Sequence, residues 1–194
     1  CTQLETATIH APSQVQVSLG DDITIEMGDQ VTLQAVVSIP ADALASVVWS
    51  ISDSSACPQC LSQIVLPLVS GIYVIRVAAN NGCADADTVR VLVDRGRKIY
   101  VPNAFSPNDD GVNDILMIFS KPGAVRQVKS FQVFDRWGEA VFRQENFQPN
   151  DSGYGWNGVF RGQAMSPGVY VWVAEIEFVD GVTEVFGGDA TVVR

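Results

Sequence analysis

Residues 169–176 read Val-Tyr-Val-Trp-Val-Ala-Glu-Ile, and this stretch decides the fold class. It consists almost entirely of β-branched and aromatic residues, with no Gly or Pro inside it, which is the composition of a β-strand. Similar runs recur along the chain, often with apolar residues at every second position, and turn-forming residues separate them. A helical spacing of apolar residues is not sustained over any ten-residue window. The sequence therefore predicts an all-β protein.

The predicted strands are, in chain order, residues 15–19, 23–27, 31–36, 47–51, 72–77, 88–93, 99–101, 115–119, 130–135, 139–142, 169–176, 182–186 and 190–193. Short strands at this spacing are typical of β-sandwiches. A short helix and a loop are equal alternatives for residues 40–45.

A charged, glycine-containing stretch at residues 94–98 follows a strand and predicts a domain boundary. The spacing Cys-x4-Thr-x-x-Ile/Val occurs at residues 1–9 and again at residues 83–91, so the first dozen residues resemble the last strand of a preceding repeat. We therefore predict three parts: residues 1–12 as that strand, 13–94 as one sandwich and 95–194 as a second. The chain is then expected to be the tail of a longer protein, and its start shows no signal-peptide pattern.

Composition and charge exclude several classes of function. With 22 acidic and 12 basic residues, the net charge is −10, which disfavours nucleic acid as a partner. The single histidine, His10, rules out most histidine-based catalysis, and neither a nucleophile elbow nor a phosphate-binding loop is present. No run approaches the length of a membrane-spanning helix. We therefore expect a non-enzymatic protein with no transmembrane segment.

The second half contains four blocks of sequence that occur in the same order in a known family. The blocks are residues 101–114 (Val-Pro-Asn-Ala-Phe-Ser-Pro-Asn-Asp-Asp-Gly-Val-Asn-Asp), residues 134–142 (Phe-Asp-Arg-Trp-Gly-Glu-Ala-Val-Phe), Trp-Asn-Gly at 156–158 followed by Pro-Gly-Val-Tyr-Val at 167–171, and the closing residues 191–194. Together they resemble the gliding-motility-associated C-terminal domain of Bacteroidetes, the type B sorting domain of the type IX secretion system. The departures are Asp109 in place of Gly, Asp135 in place of Asn and Asn157 in place of Asp.

The resemblance implies an immunoglobulin-like sandwich that acts as an export signal. Its expected partners are the type IX outer-membrane translocon and the associated shuttle or attachment proteins, and the chain is expected to be a monomer. The expected route leads through the periplasm to the cell surface or the medium. The predicted recognition surfaces are the hairpin tip Arg136-Trp137-Gly138-Glu139 and the final strand to Arg194.

The first half is similar to the PKD-like, immunoglobulin-like modules that often precede such a domain. Its matching pieces are residues 48–50, 57–60, 73–77 and 81–83. The full prediction is thus two consecutive immunoglobulin-like β-sandwich domains, with the first as a spacer. The alternative function is an extracellular adhesin or a glycan-binding structural module.

Cys57-Pro58-Gln59-Cys60 lacks the second ligand pair that a zinc site needs, so we expect a structural disulfide. Two pairings stay open at this point: Cys57 with Cys60, or one of these two with Cys83.

The loop at residues 108–114 places five oxygen-bearing side chains around one glycine. Calcium binds six to eight oxygen ligands, so Asn108, Asp110, Asn113 and Asp114 are the candidate calcium ligands. The alternative is an Asx-rich turn whose side chains cap their own backbone.

Four tryptophans could form a carbohydrate platform or pack in the core. Trp49 and Trp172 lie within apolar strands, which favours the core, whereas Trp137 and Trp156 precede turns and are expected at the ends of the sandwich.

Overall fold

The computed structural model describes residues 14–50, 57 and 59–193. Its strands are β1 (Val17–Ser18), β2 (Ile23–Glu26), β3 (Val31–Gln34), β4 (Val36–Val37), β5 (Leu44–Ser50), β6 (Ser62–Val65), β7 (Gly71–Ala79), β8 (Ala84–Asp94), β9 (Ile99–Tyr100), β10 (Ala104–Phe105), β11 (Phe119–Ser120), β12 (Val125–Phe134), β13 (Ala140–Phe147), β14 (Val159–Phe160), β15 (Gln163–Ala164), β16 (Gly168–Phe178) and β17 (Thr183–Val192). The helices in the described part are two 3-10 turns, Ala41–Ala43 and Ser152–Tyr154.

The chain divides into two compact units. The first contains the described residues up to Ile25 and those of Gln30–Val93, and the second contains Glu26–Asp29 and the described residues from Asp94 onward. Each unit is described by itself below.

In the first unit, an antiparallel sheet in the order β2-β8-β7-β5 faces the smaller pairs β3-β6 and β1-β4. Alternate residues of β7 point inward, as the period of two predicts, and Ile75 and Val77 are almost fully buried. Ile75 and Val77 pack in one cluster with Val17 of β1, and Tyr73 packs in another with Leu33 of β3. The apolar faces of these sheets therefore meet in a sandwich core.

The second unit is built on a five-stranded sheet in the order β10-β17-β16-β12-β13. β16 contains the stretch that decides the fold class, and five of its residues are buried at every second position: Tyr170, Trp172, Ala174, Ile176 and Phe178. β16 pairs along its length with β12 on one side and β17 on the other, both antiparallel. This central strand has a buried face because its neighbours present Phe131, Val133 and Ala190 on the same side.

Trp156 joins the segment around Leu116 to the five-stranded sheet. Its side chain is 1% exposed, and its ring centroid lies 5.4 Å from that of Phe105 and 5.0 Å from that of Tyr170. The backbone of Trp156 exchanges two hydrogen bonds with Leu116, of 2.8 and 2.9 Å, and its indole N–H donates to the Val159 carbonyl. The ring and the backbone of Trp156 thus both contact residues that are distant in sequence, namely Phe105, Tyr170 and Leu116.

Two glycines allow this close approach. A Cβ on Gly155 would lie 2.8 Å from the Leu116 carbonyl oxygen, and a Cβ on Gly158 would lie 2.8 Å from Cγ of Pro107. Gly158 also has a φ of +72°, a conformation that residues with a side chain rarely adopt. The Gly-Trp-Asn-Gly order of residues 155–158 is therefore a packing requirement.

The predicted fold class, all-β with two consecutive immunoglobulin-like sandwiches, is confirmed. Several strand predictions were wrong. Residues 182–186 and 190–193 belong to the single strand β17, and β6, β10, β14 and β15 were not predicted. Residues 115–118 form no continuous strand, and only Leu116 bridges to Trp156 before β11 begins at Phe119. Leu116 and Ile118 are buried although neither belongs to a strand, so their apolar side chains gave a strand-like pattern without a sheet ladder.

Replacing Trp156 tests this packing. We expect Trp156→Ala to lower the free energy of unfolding of the second unit by about 3–5 kcal/mol, because it removes a fully buried ring and leaves a cavity. Urea unfolding of the full chain measures it. Trp137→Ala is the matched control, since Trp137 is 85% exposed, and we expect a change within about 0.5 kcal/mol. Equal effects of the two variants would contradict the central place of Trp156.

Candidate functional site

The tip of the β12–β13 hairpin has a fixed backbone. One oxygen of the Asp135 carboxylate, Oδ1, accepts hydrogen bonds from the backbone N–H groups of Trp137 and Glu139, at 2.8 and 2.9 Å. The backbone N–H of Gly138 donates to the Asp135 carbonyl, and Gly138 has a φ of +80°. Asp135 therefore caps the turn, and Gly138 supplies the left-handed residue that the turn needs.

This rigid turn presents two large side chains to solvent. Trp137 is 85% exposed, although tryptophan is a residue that folded proteins usually bury for much of its surface. The Arg136 guanidinium makes no hydrogen bond or ion pair within the part of the chain that the structure describes. Tryptophan and arginine, together with tyrosine, are the residue types enriched among the energetic centres of protein interfaces.

A second hairpin lies beside the first. It consists of β14 and β15, and its turn residue Arg161 places its guanidinium 4.6 Å from the ring centre of Phe160. Arg161 also forms an ion pair of 3.3 Å with Glu139. Because both partners of that pair are largely exposed, it adds little stability, but it connects the two tips.

A pocket of about 430 Å³ lies between these two hairpins and the start of β16. We call it the hairpin-tip pocket, and its principal side chains are those of Arg136, Trp137, Phe160, Arg161, Met165 and Tyr170. The Tyr170 hydroxyl donates to the Ser166 carbonyl and so holds the segment that leads into β16. The pocket combines two guanidinium groups with aromatic surface, which suits a partner that has both acidic and apolar groups.

β17, the last strand, has an open edge. β16 pairs with it from Thr183 to Val192, but on the other side β10 pairs with only Thr191 and Val192. Within the described residues no strand pairs with that side from Thr183 to Ala190, and Val185 there is 69% exposed. Such an edge can accept a strand from a partner. Arg194, the last predicted recognition residue, lies outside the described residues.

The predicted calcium loop is held by its own hydrogen bonds. One oxygen of Asp114 accepts from the backbone N–H groups of Asn108 and Asp109, and the other accepts from Gly111. Asn108 and Asp110 bond to each other.

These contacts bring Asn108, Asp110 and Asp114 into one turn, whereas Asn113 makes no side-chain hydrogen bond to any described residue. In the described ranges no group of three or more His, Cys, Asp or Glu side chains could hold a metal ion. This geometry is that of the Asx-rich alternative, and calcium binding stays a prediction.

A calcium titration separates a calcium site from a self-capped turn: a rise in melting temperature at millimolar Ca²⁺ supports the metal, and no rise supports the self-capped turn.

Acid should weaken this loop. The pKa of Asp114 is lowered, chiefly because its carboxylate accepts the Asn108 N–H and the neighbouring N–H groups. A lowered pKa contributes stability above the unfolded pKa that is lost as pH falls through the folded pKa. We therefore expect the melting temperature of the native chain to fall more than that of Asp114→Asn between pH 6 and pH 3. Parallel curves for the two proteins would contradict this account.

Cys57 and Cys60 form a disulfide with a Cα–Cα distance of 5.3 Å, which resolves the two pairings in favour of the tight loop. Among the cysteines that the structure describes, Cys83 is a free thiol, and it packs against the core of the first unit. The Trp49 indole N–H donates to the Cys60 carbonyl at 2.7 Å, so the disulfide loop is tied to β5.

Sequence reasoning placed Arg136, Trp137, Gly138 and Glu139 correctly at a turn but missed the neighbouring wall of the pocket. Phe160 and Arg161 belong to a hairpin whose strands are only two residues long, too short to show a period. The one available signal was the turn dipeptide Arg161-Gly162, in which both residues have positive φ.

The described residues contain no helix with the length and apolar character needed to cross a bilayer. No curated protein is significantly similar to this chain.

Among solved structures, one match is the Bacteroides ovatus mixed-linkage glucan utilization protein SGBP-B in complex with a heptasaccharide, at 14% identity and a TM-score of 0.33, covering 95% of this chain and 48% of that one. Another is dimeric latent PorU from Porphyromonas gingivalis, at 11% identity and a TM-score of 0.32, covering 94% and 20%. A third is the fibronectin(III)-like modules of CbhA from Clostridium thermocellum, at 14% identity and a TM-score of 0.28, covering 92% and 94%. The chain thus spans about half the length of the first of these proteins and a fifth of the second, and the scores are too low to support a structural argument.

The family comparison is specific. The family described as CHU_C type IX secretion signal domain matches residues 99–187, which include the Asn108–Asp114 loop, both hairpins of the hairpin-tip pocket and β16. This match confirms the family that the four sequence blocks predict. Residues 99–187 of this chain therefore form a type IX secretion signal domain of the CHU_C family.

Proposed function

We propose that residues 95–194 fold into an export signal that the type IX outer-membrane translocon recognises by its surface, and that the signal delivers the protein ahead of it to the cell surface or the medium. A type IX secretion signal implies contact with the secretion machinery and export out of the cell. Signal domains and immunoglobulin-like domains are non-catalytic kinds of domain. We also propose that the domain folds in the periplasm and that the machinery recognises its folded surface there.

The observation that carries the proposal is the exposed Trp137 on a capped turn, beside Arg136, whose guanidinium has no partner among the described residues. Exposing an indole to water is unfavourable, so a partner that covers it gains apolar burial. The turn is already rigid, because Asp135 binds two of its N–H groups, and little conformational entropy is lost on docking. The hairpin-tip pocket is therefore our candidate for the primary docking surface.

The open edge of β17 is the second surface that supports recognition. A strand from a translocon, shuttle or attachment protein would pair with its free backbone groups from Thr183 to Asp189. β-pairing gives affinity with little demand on sequence, whereas the hairpin-tip pocket can provide selectivity through its arginines and aromatic rings.

We propose that the first unit acts as a spacer. We also propose that the protein is a monomer. The core of the first unit consists of two buried clusters, both of which pack against the partly buried Leu19 and Trp49, and a sandwich of this kind can hold a distal domain away from the membrane.

An export assay tests the proposal. Residues 1–194 are fused behind a passenger and expressed in a cell with a working type IX system and in a mutant that lacks the translocon. We expect the passenger at the surface or in the medium of the first cell only. Export unchanged when residues 95–194 are deleted would overturn the function.

The docking surface is tested in the same fusion. We expect the double variant Arg136→Ala, Trp137→Ala to reduce export about tenfold or more, because it removes both hot-spot side chains. Arg143→Ala is the matched control, since Arg143 is an exposed arginine on the same hairpin outside the pocket, and its export should equal that of the native fusion. Full export of the double variant, with an unchanged melting temperature, would place recognition elsewhere on the domain.

A further inference from the structure

A pair of exposed aromatic rings lies on the β9–β11 ribbon of the second unit. Tyr100 and Phe119 are direct partners across these two antiparallel strands, so their side chains leave the ribbon on the same face. Their ring centroids are 6.0 Å apart, and the residues are 62% and 38% exposed. Both therefore belong to the large apolar side chains that the unit leaves exposed.

Tyr100 and Phe119 both line a groove of about 620 Å³, which we call the ribbon groove. The side chains of Asn103 and Asn113 also line it, and neither makes a hydrogen bond with any residue in the described part of the chain. Each free amide offers one acceptor and two donors. The volume lies within the range of about 300–1,000 Å³ typical of small-ligand sites.

The acidic lining of the ribbon groove disfavours anionic ligands. Asp114 lines the groove, and Asp109 and Asp110 belong to the same loop. No lysine, arginine or histidine is among the described residues that line it. An anionic ligand would be repelled, whereas a neutral ligand rich in hydroxyl groups would find amides to bond and rings to cover.

We propose that the ribbon groove binds a neutral polysaccharide whose sugar rings have a flat C–H face, as in β-linked glucans and xylans. Tyr100 and Phe119 stack on the C–H faces, and the Asn103 and Asn113 amides bond to the hydroxyl groups at the sugar edge. Such a ligand would contact the exposed rings and the Asn103 and Asn113 amides. It would also tolerate a lining that, among the described residues, has no cationic group. The site is separate from the hairpin-tip pocket, since the two share no lining residue.

Affinity electrophoresis of the full chain tests this proposal. Native gels contain hydroxyethylcellulose, xylan or polygalacturonate, and a gel without polysaccharide gives the reference mobility. We expect retardation by at least one of the two neutral polymers and none by polygalacturonate. Retardation by neither neutral polymer, or retardation only by polygalacturonate, would overturn the proposal.

Variants of the same groove distinguish binding from a structural role of the ring pair. We expect Tyr100→Ala and Asn103→Ala each to weaken retardation, the former about tenfold, whereas Tyr100→Phe should retain it because the stacking face is kept. Melting curves of each variant show whether the ribbon still folds. If Tyr100→Ala lowers the melting temperature but leaves retardation unchanged, the rings serve the ribbon alone and the proposal fails.

Discussion

The second unit depends on the burial of one indole, that of Trp156. Its ring touches Phe105 from the opening segment and Tyr170 from the central strand, and its backbone bonds to Leu116. These partners lie between 14 and 51 residues away in sequence, so one residue brings together three distant parts of the chain. Gly155 makes the approach possible because a larger residue would meet the Leu116 carbonyl.

The burial of Trp156 explains how the hairpin-tip pocket can be exposed to solvent and still have a fixed structure. Tyr170 belongs to the core through Trp156 and also lines the hairpin-tip pocket, so the pocket is attached directly to the best-packed part of the unit. Trp137 is then presented by a capped turn at the end of β12, a strand that pairs on both sides. A folded signal of this type offers its partner a preformed shape, which lowers the entropic cost of recognition.

Much of the fold could be predicted from sequence because strand alternation is a local property. β16 and β7 show it clearly, and the family blocks then identified the domain. The central place of Trp156 could not be predicted, since a tryptophan next to a turn looks the same in sequence whether it is exposed, like Trp137, or buried. The hairpin-tip pocket was also hidden, because the ion pair of Arg161 with Glu139 links two hairpins that no local pattern connects.

Hydrogen exchange at the amides of Leu116 and Trp156 tests the central claim most directly. Each of these N–H groups donates to the other residue's carbonyl, behind a side chain that excludes water. The account predicts that both amides exchange only through global unfolding of the second unit, as slowly as the amides at the centre of β16. Exchange at the rate of exposed loop amides, while β16 stays protected, would show that the Trp156 cluster opens on its own and does not hold the unit together.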